Sequence, residues 1–178
     1  FNEALSISEK LADKNPDSYF PGLASTQSNL GNLYRILGRF NDAEKAFNKA
    51  LNINKKLADK NPNVYLPRLA DTQNNLGILY RDLQRFHDAE KAYKEALSIR
   101  KKLADKDPDA SLPDLASTQN NLGNLYHDIQ RFGDAEKVFN EALNILKKLA
   151  DKNPDAYLPD LAMTQNNLGN LYQILRRF

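Results

Sequence analysis

The chain has 178 residues, 25 Lys+Arg against 23 Asp+Glu, and a net charge of +2. The near-balance of charge argues against a dedicated nucleic-acid binder, which carries a basic stripe. With no Cys there is no disulfide framework, no thiolate zinc site and no Cys nucleophile. No stretch approaches the roughly 18 apolar residues that a membrane span needs, and residues 1–10 resemble neither a signal nor a transit peptide. The expectation is an excised, soluble, cytoplasmic fragment without membrane contact.

Self-comparison sets the architecture. Pro16, Pro62, Pro108 and Pro154 stand 46 residues apart, as do Gly31, Gly77, Gly123 and Gly169, and Phe40, Phe86, Phe132 and Phe178. Residues 47–92 laid over 93–138 give 30 identities in 46 positions without an insertion. A strict period of this size predicts a solenoid in which each repeat shares a continuous core with its neighbours. In chain order, residues 1–20 read as the second helix of a truncated repeat plus a linker. Residues 21–66, 67–112 and 113–158 are full repeats, and 159–178 are the first helix of another. Together they form one array of about eight helices.

Each repeat predicts two helices. In the third, Pro113 fits a helical first turn and Asp114 complements the positive helix end. Leu115, Gln119, Leu122, Tyr126 and Ile129 then form one apolar stripe at helical spacing. Gly123 lies beside it. A helical Gly costs roughly 1 kcal/mol, so its recurrence predicts the close passage of another helix backbone. The second helix is predicted to start near Gly133 or Asp134, with Asn41/Asp42 and His87/Asp88 as the equivalents and Asp or Asn as N-cap. Its apolar face is Ala135, Val138, Phe139, Ala142, Leu143, Leu146 and Ala150. It ends at Lys152-Asn153-Pro154, because Pro cannot continue a helix. The linker between Pro154 and Pro159 reads as short and stiff.

The spacing Leu30-Gly31, Tyr34, Phe40, Ala43, Phe47, Ala50-Leu51 repeats as Leu76-Gly77, Tyr80, Phe86, Ala89, Tyr93, Ala96-Leu97, and again from Leu122-Gly123. It resembles the tetratricopeptide repeat over the whole chain. The string Asn-Asn-Leu-Gly-x-Leu-Tyr and the long second helix look most like the kinesin light chain type. There are departures. The repeat is longer than the usual length of about 34 residues. Gln27, Gln73, Gln119 and Gln165 stand where Trp is common, and Lys55, Lys101 and Lys147 stand where Pro closes the second helix. The resemblance implies an all-α, right-handed superhelix of antiparallel helix pairs. First helices would line a concave groove that binds protein or peptide partners, with no enzymatic activity and no cofactor.

Asn supplies the candidate site. Of 21 Asn, ten lie on the first helices in one recurring register: Asn29, Asn32, Asn74, Asn75, Asn120, Asn121, Asn124, Asn166, Asn167 and Asn170. An amide carries both donor and acceptor, so such a ladder can satisfy the backbone of an extended peptide whatever its sequence. Asn74, Asn120 and Asn166 lie opposite the apolar stripe and are expected to be exposed in the groove. Asn29, Asn75, Asn121 and Asn167 lie at its border, where contact with ligand and packing between neighbouring helices are both open. Arg35, Arg81 and His127, with Gln173 in the last repeat, vary between repeats and are expected to select the ligand. No Lys stands on these first helices between Pro21 and Gly38, Pro67 and Gln84, or Pro113 and Gln130. That excludes the family's clamp for chaperone carboxyl tails.

Other chemistry has no support. Two isolated His without Cys make no structural zinc site, and no metal or nucleophile is expected. Thr26, Thr72, Thr118 and Thr164 repeat in every unit and read as architectural. The runs Lys55-Lys56, Arg100-Lys101-Lys102 and Lys147-Lys148 read as solvated faces of second helices. The lack of polar capping helices predicts head-to-tail self-association through residues 1–12 and 161–178. Two rival functions are a structural spacer or self-assembling rod, favoured by the high identity between repeats, and a sensor arm of a larger multidomain protein.

Overall fold

The computed structural model describes the backbone of residues 2–175 and the side chains of residues 5–175. Phe1 and Arg176–Phe178 lie outside it, and with them part of each expected self-association surface. Among the described residues there are eight helices: α1 (Asn2–Lys14), α2 (Pro16–Ile36), α3 (Phe40–Lys60), α4 (Pro62–Asp82), α5 (Phe86–Ala104), α6 (Pro108–Asp128), α7 (Phe132–Lys152) and α8 (Pro154–Ile174). They form two compact units, residues 1–85 and 86–178. In the first, α1 packs on α2, α2 on α3 and α3 on α4, and the first helices α2 and α4 also touch. The second has the same order from α5 to α8, with α6 touching α8.

The first helices start five residues earlier than the sequence predicts, at Pro16, Pro62, Pro108 and Pro154. The stiff linker shrinks to one residue before α2, α4 and α8, and to the three residues 105–107 before α6. Asn61 and Asn153 close one helix and open the next: their N–H groups donate to Leu57 O and Leu149 O, both at 2.9 Å. Their extended backbone, φ −142° and −143°, is what a following Pro imposes. The Asn153 and Asp107 side chains accept from Ala156 N and Ala110 N, and Pro follows at the first helical position, where no donor is missed. Pro21, Pro67, Pro113 and Pro159 then lie inside the helices. Each lacks the N–H that would reach the carbonyl four residues back, and that carbonyl belongs to an exposed residue of the opening turn, so the helix tolerates it.

The turn into each second helix is a Schellman motif. Gly38 N donates to Arg35 O at 3.0 Å and Arg39 N to Tyr34 O at 2.8 Å, and the same pair recurs at Gln84/Arg85 and Gln130/Arg131. The left-handed residue is Gly38 once, but Gln84 and Gln130 adopt φ 58° and 60°. The expected Asp or Asn caps are not realised. Arg39 and Arg131 occupy the cap position with no side-chain cap bond, and each instead pairs with the carboxylate three residues on, Asp42 or Asp134.

The predicted apolar stripes are the cores. Leu115, Gln119, Leu122 and Tyr126 are buried on α6, facing Ala135, Val138, Phe139, Ala142 and Leu146 of α7. Gly123 has a different cause from the one expected. The close neighbour is an aromatic ring, not a backbone. A Cβ on Gly123 would lie 2.5 Å from Phe139 Cε1, and one on Gly31 would lie 2.6 Å from Phe47 Cδ1 and Cε1. Phe47 and Phe139 are 0% and 1% exposed. Burying such a side chain contributes roughly 1.5–3 kcal/mol, more than the helix loses to the Gly.

Candidate functional site

The first helices are crossed by buried polar contacts that place the candidate residues. Thr72, Thr118 and Thr164 are buried, and each hydroxyl donates to the carbonyl four residues back, at 2.8–3.1 Å. Each hydroxyl oxygen then accepts a second bond, from a different source in each repeat. Thr72 receives Asn54 Nδ2 at 3.0 Å, Thr118 receives the Arg100 guanidinium, and Thr164 receives Asn120 Nδ2 at 2.8 Å. The threonines are architectural, as expected. The residues that feed them are not uniform.

This arrangement reverses part of the Asn expectation. Asn74 and Asn120, read as exposed in the groove, are 8% and 3% exposed. A first helix in this fold is covered by second helices and also by its neighbouring first helix, so α8 seats Asn120 in the α6–α8 seam. Asn166 is exposed on the last helix. The border residues Asn75, Asn121 and Asn167 are half-buried and Asn29 is exposed, while Asn32 and Asn124 are half-buried and Asn170 is exposed. Accessible amides thus sit at the border register and at Asn32, Asn124 and Asn170.

In the N-terminal unit four Asn converge. Asn29 and Asn32 of α2, Asn75 of α4 and Asn54 of α3 line a depression of about 300 Å³. Ser25, Ser28 and Thr72 add hydroxyls, and Arg68 and Asp71 complete the lining with opposite charges. Apart from that pair the lining is neutral and hydrogen-bonding. The Arg68 guanidinium also stands 5.9 Å from the Tyr65 ring centre. Asn54 was not singled out in sequence, because it lies on a second helix, away from the Asn register.

The residues expected to select ligand have local partners. Arg35 pairs with Asp82 at 2.9 Å, both partly exposed. Arg81 is half-buried. His127 is half-buried, with Nδ1 3.8 Å from Asp128 Oδ1 and its ring edge-on to Phe132. His87 is exposed at the start of α5.

A second recurrent cluster ties the repeats together. Arg131 lies 4.4 Å from the Tyr126 ring centre and donates to both Glu90 carboxylate oxygens, at 3.0 and 3.1 Å. The Tyr126 hydroxyl donates to Glu90 Oε1 at 3.0 Å, and Lys94 pairs with it at 2.7 Å. Burial pushes the Glu90 carboxyl up, but these donors outweigh it and hold the pKa below its ordinary value. Burial, then the bond to Glu90, pushes the Tyr126 phenol up. Arg85 repeats the arrangement, stacked on Tyr80 at 4.4 Å and bonded to Glu44 at 2.8 Å. Among the described residues no group of three His, Cys, Asp or Glu could hold a metal ion, and no helix is long and apolar enough to cross a membrane.

Comparison with known proteins agrees with this geometry. The tetratricopeptide repeat pattern matches residues 22–102 and 68–148. No curated protein matches the chain. Among solved structures, BtubC (BKLC) from P. vanneervenii superimposes with a TM-score of 0.71 at 23% identity, covering 99% of this chain and 82% of that one. The apo form of RapI gives a TM-score of 0.76 at 17% identity, covering 99% of this chain and 57% of RapI, so the chain spans just over half that protein's length. At such identities the likeness is one of fold, an α-solenoid of helix pairs. The chain belongs to the tetratricopeptide repeat family.

Proposed function

We propose that this member of the tetratricopeptide repeat family is a non-catalytic protein–protein interaction scaffold that holds an extended peptide segment along its first helices. The observation that carries the reading is the neutral depression of the N-terminal unit, where Asn29, Asn32 and Asn75 present amides from two first helices. Each amide offers a donor and an acceptor, which together satisfy one peptide unit. The near-neutral charge fits a partner recognised by hydrogen bonding and shape, not by long-range steering. The residue register places the same amides, Asn121, Asn124, Asn167 and Asn170, on the first helices of the second unit.

The test is equilibrium binding of a random peptide library to the intact chain and to a variant carrying Asn32→Ala and Asn75→Ala. The variant is expected to lose about tenfold or more in affinity for retained peptides, one lost hydrogen-bonded pair being worth roughly 1 kcal/mol. Equal retention by both proteins would overturn the reading. A rod-like structural role has one specific observation in its favour, the use of Asn120 in the α6–α8 seam. Leu158, Met163 and Ile174, about half exposed on α8, give self-association an apolar surface. Sedimentation over a hundredfold range of concentration tests it, and a monomer throughout would exclude it.

A further inference from the structure

Within the depression of the N-terminal unit, one side chain carries a buried acceptor without a hydrogen-bond partner. Asn54 is 2% exposed and lines the depression. Its Nδ2 donates to Thr72 Oγ1 at 3.0 Å and to Arg68 O at 3.4 Å. The amide cannot be turned round without loss. Thr72 Oγ1 already gives its proton to Arg68 O at 2.9 Å, so that corner holds only acceptors, and an Oδ1 placed there would meet no donor. Oδ1 is therefore on the other side, where it is buried and accepts no hydrogen bond. A buried acceptor left unmade carries an uncompensated desolvation cost. A ligand donor would remove that cost.

The same register explains why this is a choice and not a property of the fold. Positions 8, 54, 100 and 146 are equivalent, and hold Ser8, Asn54, Arg100 and Leu146 in otherwise similar repeats. Leu146 is 2% exposed, so the fold accepts an apolar residue of the same branched shape there. Thr164 in that repeat takes its second bond from Asn120 instead. The position beneath the groove varies while the threonine it faces, Thr72 or its equivalents Thr118 and Thr164, and the border residue Asn75, with Asn121 and Asn167, stay the same.

We propose that Asn54 is the specificity-determining floor of the depression and that it selects a peptide side chain ending in a carboxamide, Asn or Gln. This rests on the peptide-binding reading given above. A carboxamide supplies the N–H that Oδ1 requires, and its own carbonyl accepts from the wall amides of Asn29 or Asn75. A carboxylate brings no donor. An ammonium brings donors only and must lose hydration against a neutral oxygen, while the opposite charges of Arg68 and Asp71 give it no net field. An apolar side chain leaves Oδ1 unmade. Discrimination of this kind, by a buried polar group that a wrong ligand leaves unpaired, is stronger than discrimination by size.

The test uses a displayed library of random decapeptides, selected in parallel on the whole chain and on Asn54→Leu. Helix content and thermal unfolding of the variant are checked first; if Asn54→Leu fails to fold, Asn54→Ser, the residue of the equivalent position 8, replaces it. The wild-type chain is expected to enrich Asn or Gln at one position. Asn54→Leu is expected to enrich apolar residues there, and to bind the wild-type consensus about tenfold more weakly. The same consensus from both proteins would overturn the role of Asn54 while leaving the groove intact. Enrichment of Lys or Arg by the wild type would overturn the carboxamide as ligand. No retained peptide on either protein would overturn the groove, and this inference with it.

Discussion

The recurrent Gly is explained by a ring, and that explanation has a sharp consequence at two equivalent positions. Gly123→Ala adds a Cβ 2.5–2.8 Å from Cε1, Cδ1 and Cζ of Phe139. Phe139 is 1% exposed, so the ring must move by most of an ångström inside a packed core. Overpacking of this size costs about 1–3 kcal/mol, while exchanging Gly for Ala in a helix returns about 1 kcal/mol. The net expectation is a loss of up to about 2 kcal/mol. Gly169→Ala is the control. The same register on α8 has nothing within 4 Å of the added Cβ, so only the helix term remains and the chain should gain about 0.5–1 kcal/mol. Guanidinium unfolding followed by circular dichroism measures both, with far-UV spectra confirming unchanged helix content. If the two substitutions stabilise the chain equally, the ring contact does not account for the Gly. If Gly123→Ala is destabilising only by way of a wholesale loss of helix, the local account fails as well.

Two further outcomes follow from the turns and the repeat-linking clusters. Gln130 sits at φ 60° in the left-handed position of its turn, where the equivalent residue is Gly38. Gln130→Gly should therefore stabilise the chain by about 0.5–1 kcal/mol, since a side chain is strained there, and chemical denaturation giving a loss instead would refute it. Glu90 is held below its ordinary value of 4.5 by Lys94, Tyr126 and Arg131, against the opposing effect of burial. A carboxylate whose folded pKa is depressed contributes stability that is complete above the unfolded value and fades as pH falls through the folded one. Glu90→Gln should thus lower the melting temperature at pH 7 and narrow the gap between pH 7 and pH 3. An undiminished gap in the variant would assign the acid sensitivity to other groups.

The regular part of the molecule was legible from spacing alone. Helix pairs, their apolar stripes and the architectural threonines are dictated by side chains that recur every 46 residues, and recurrence survives any error in locating a boundary. The helix starts were misplaced because two Pro stand in each junction and either can open a helix. Pro108 opens the helix and not Pro113, because Asp107 before it supplies both the extended backbone and the side-chain cap. The Asp caps failed for a similar reason: the turn is closed by backbone bonds of the Schellman motif, which leave Asp42 and Asp134 to pair with Arg39 and Arg131.

The candidate site was legible in composition and misjudged in depth. A helical wheel divides a helix into a core side and an open side, and on that division Asn74 and Asn120 face outward. A first helix in a solenoid has a third packed side, the neighbouring first helix, and a wheel drawn from one repeat does not contain it. Asn120 is buried on that side by α8, and Asn166, one repeat later, is exposed on the last helix. The signal at Asn54 is of the opposite kind. Attention to what repeats finds the scaffold, while position 54 is informative because it does not repeat: Ser8, Asn54, Arg100 and Leu146 meet the same threonine register with different chemistry. In an array this regular, ligand choice has to be written in the positions that break the pattern.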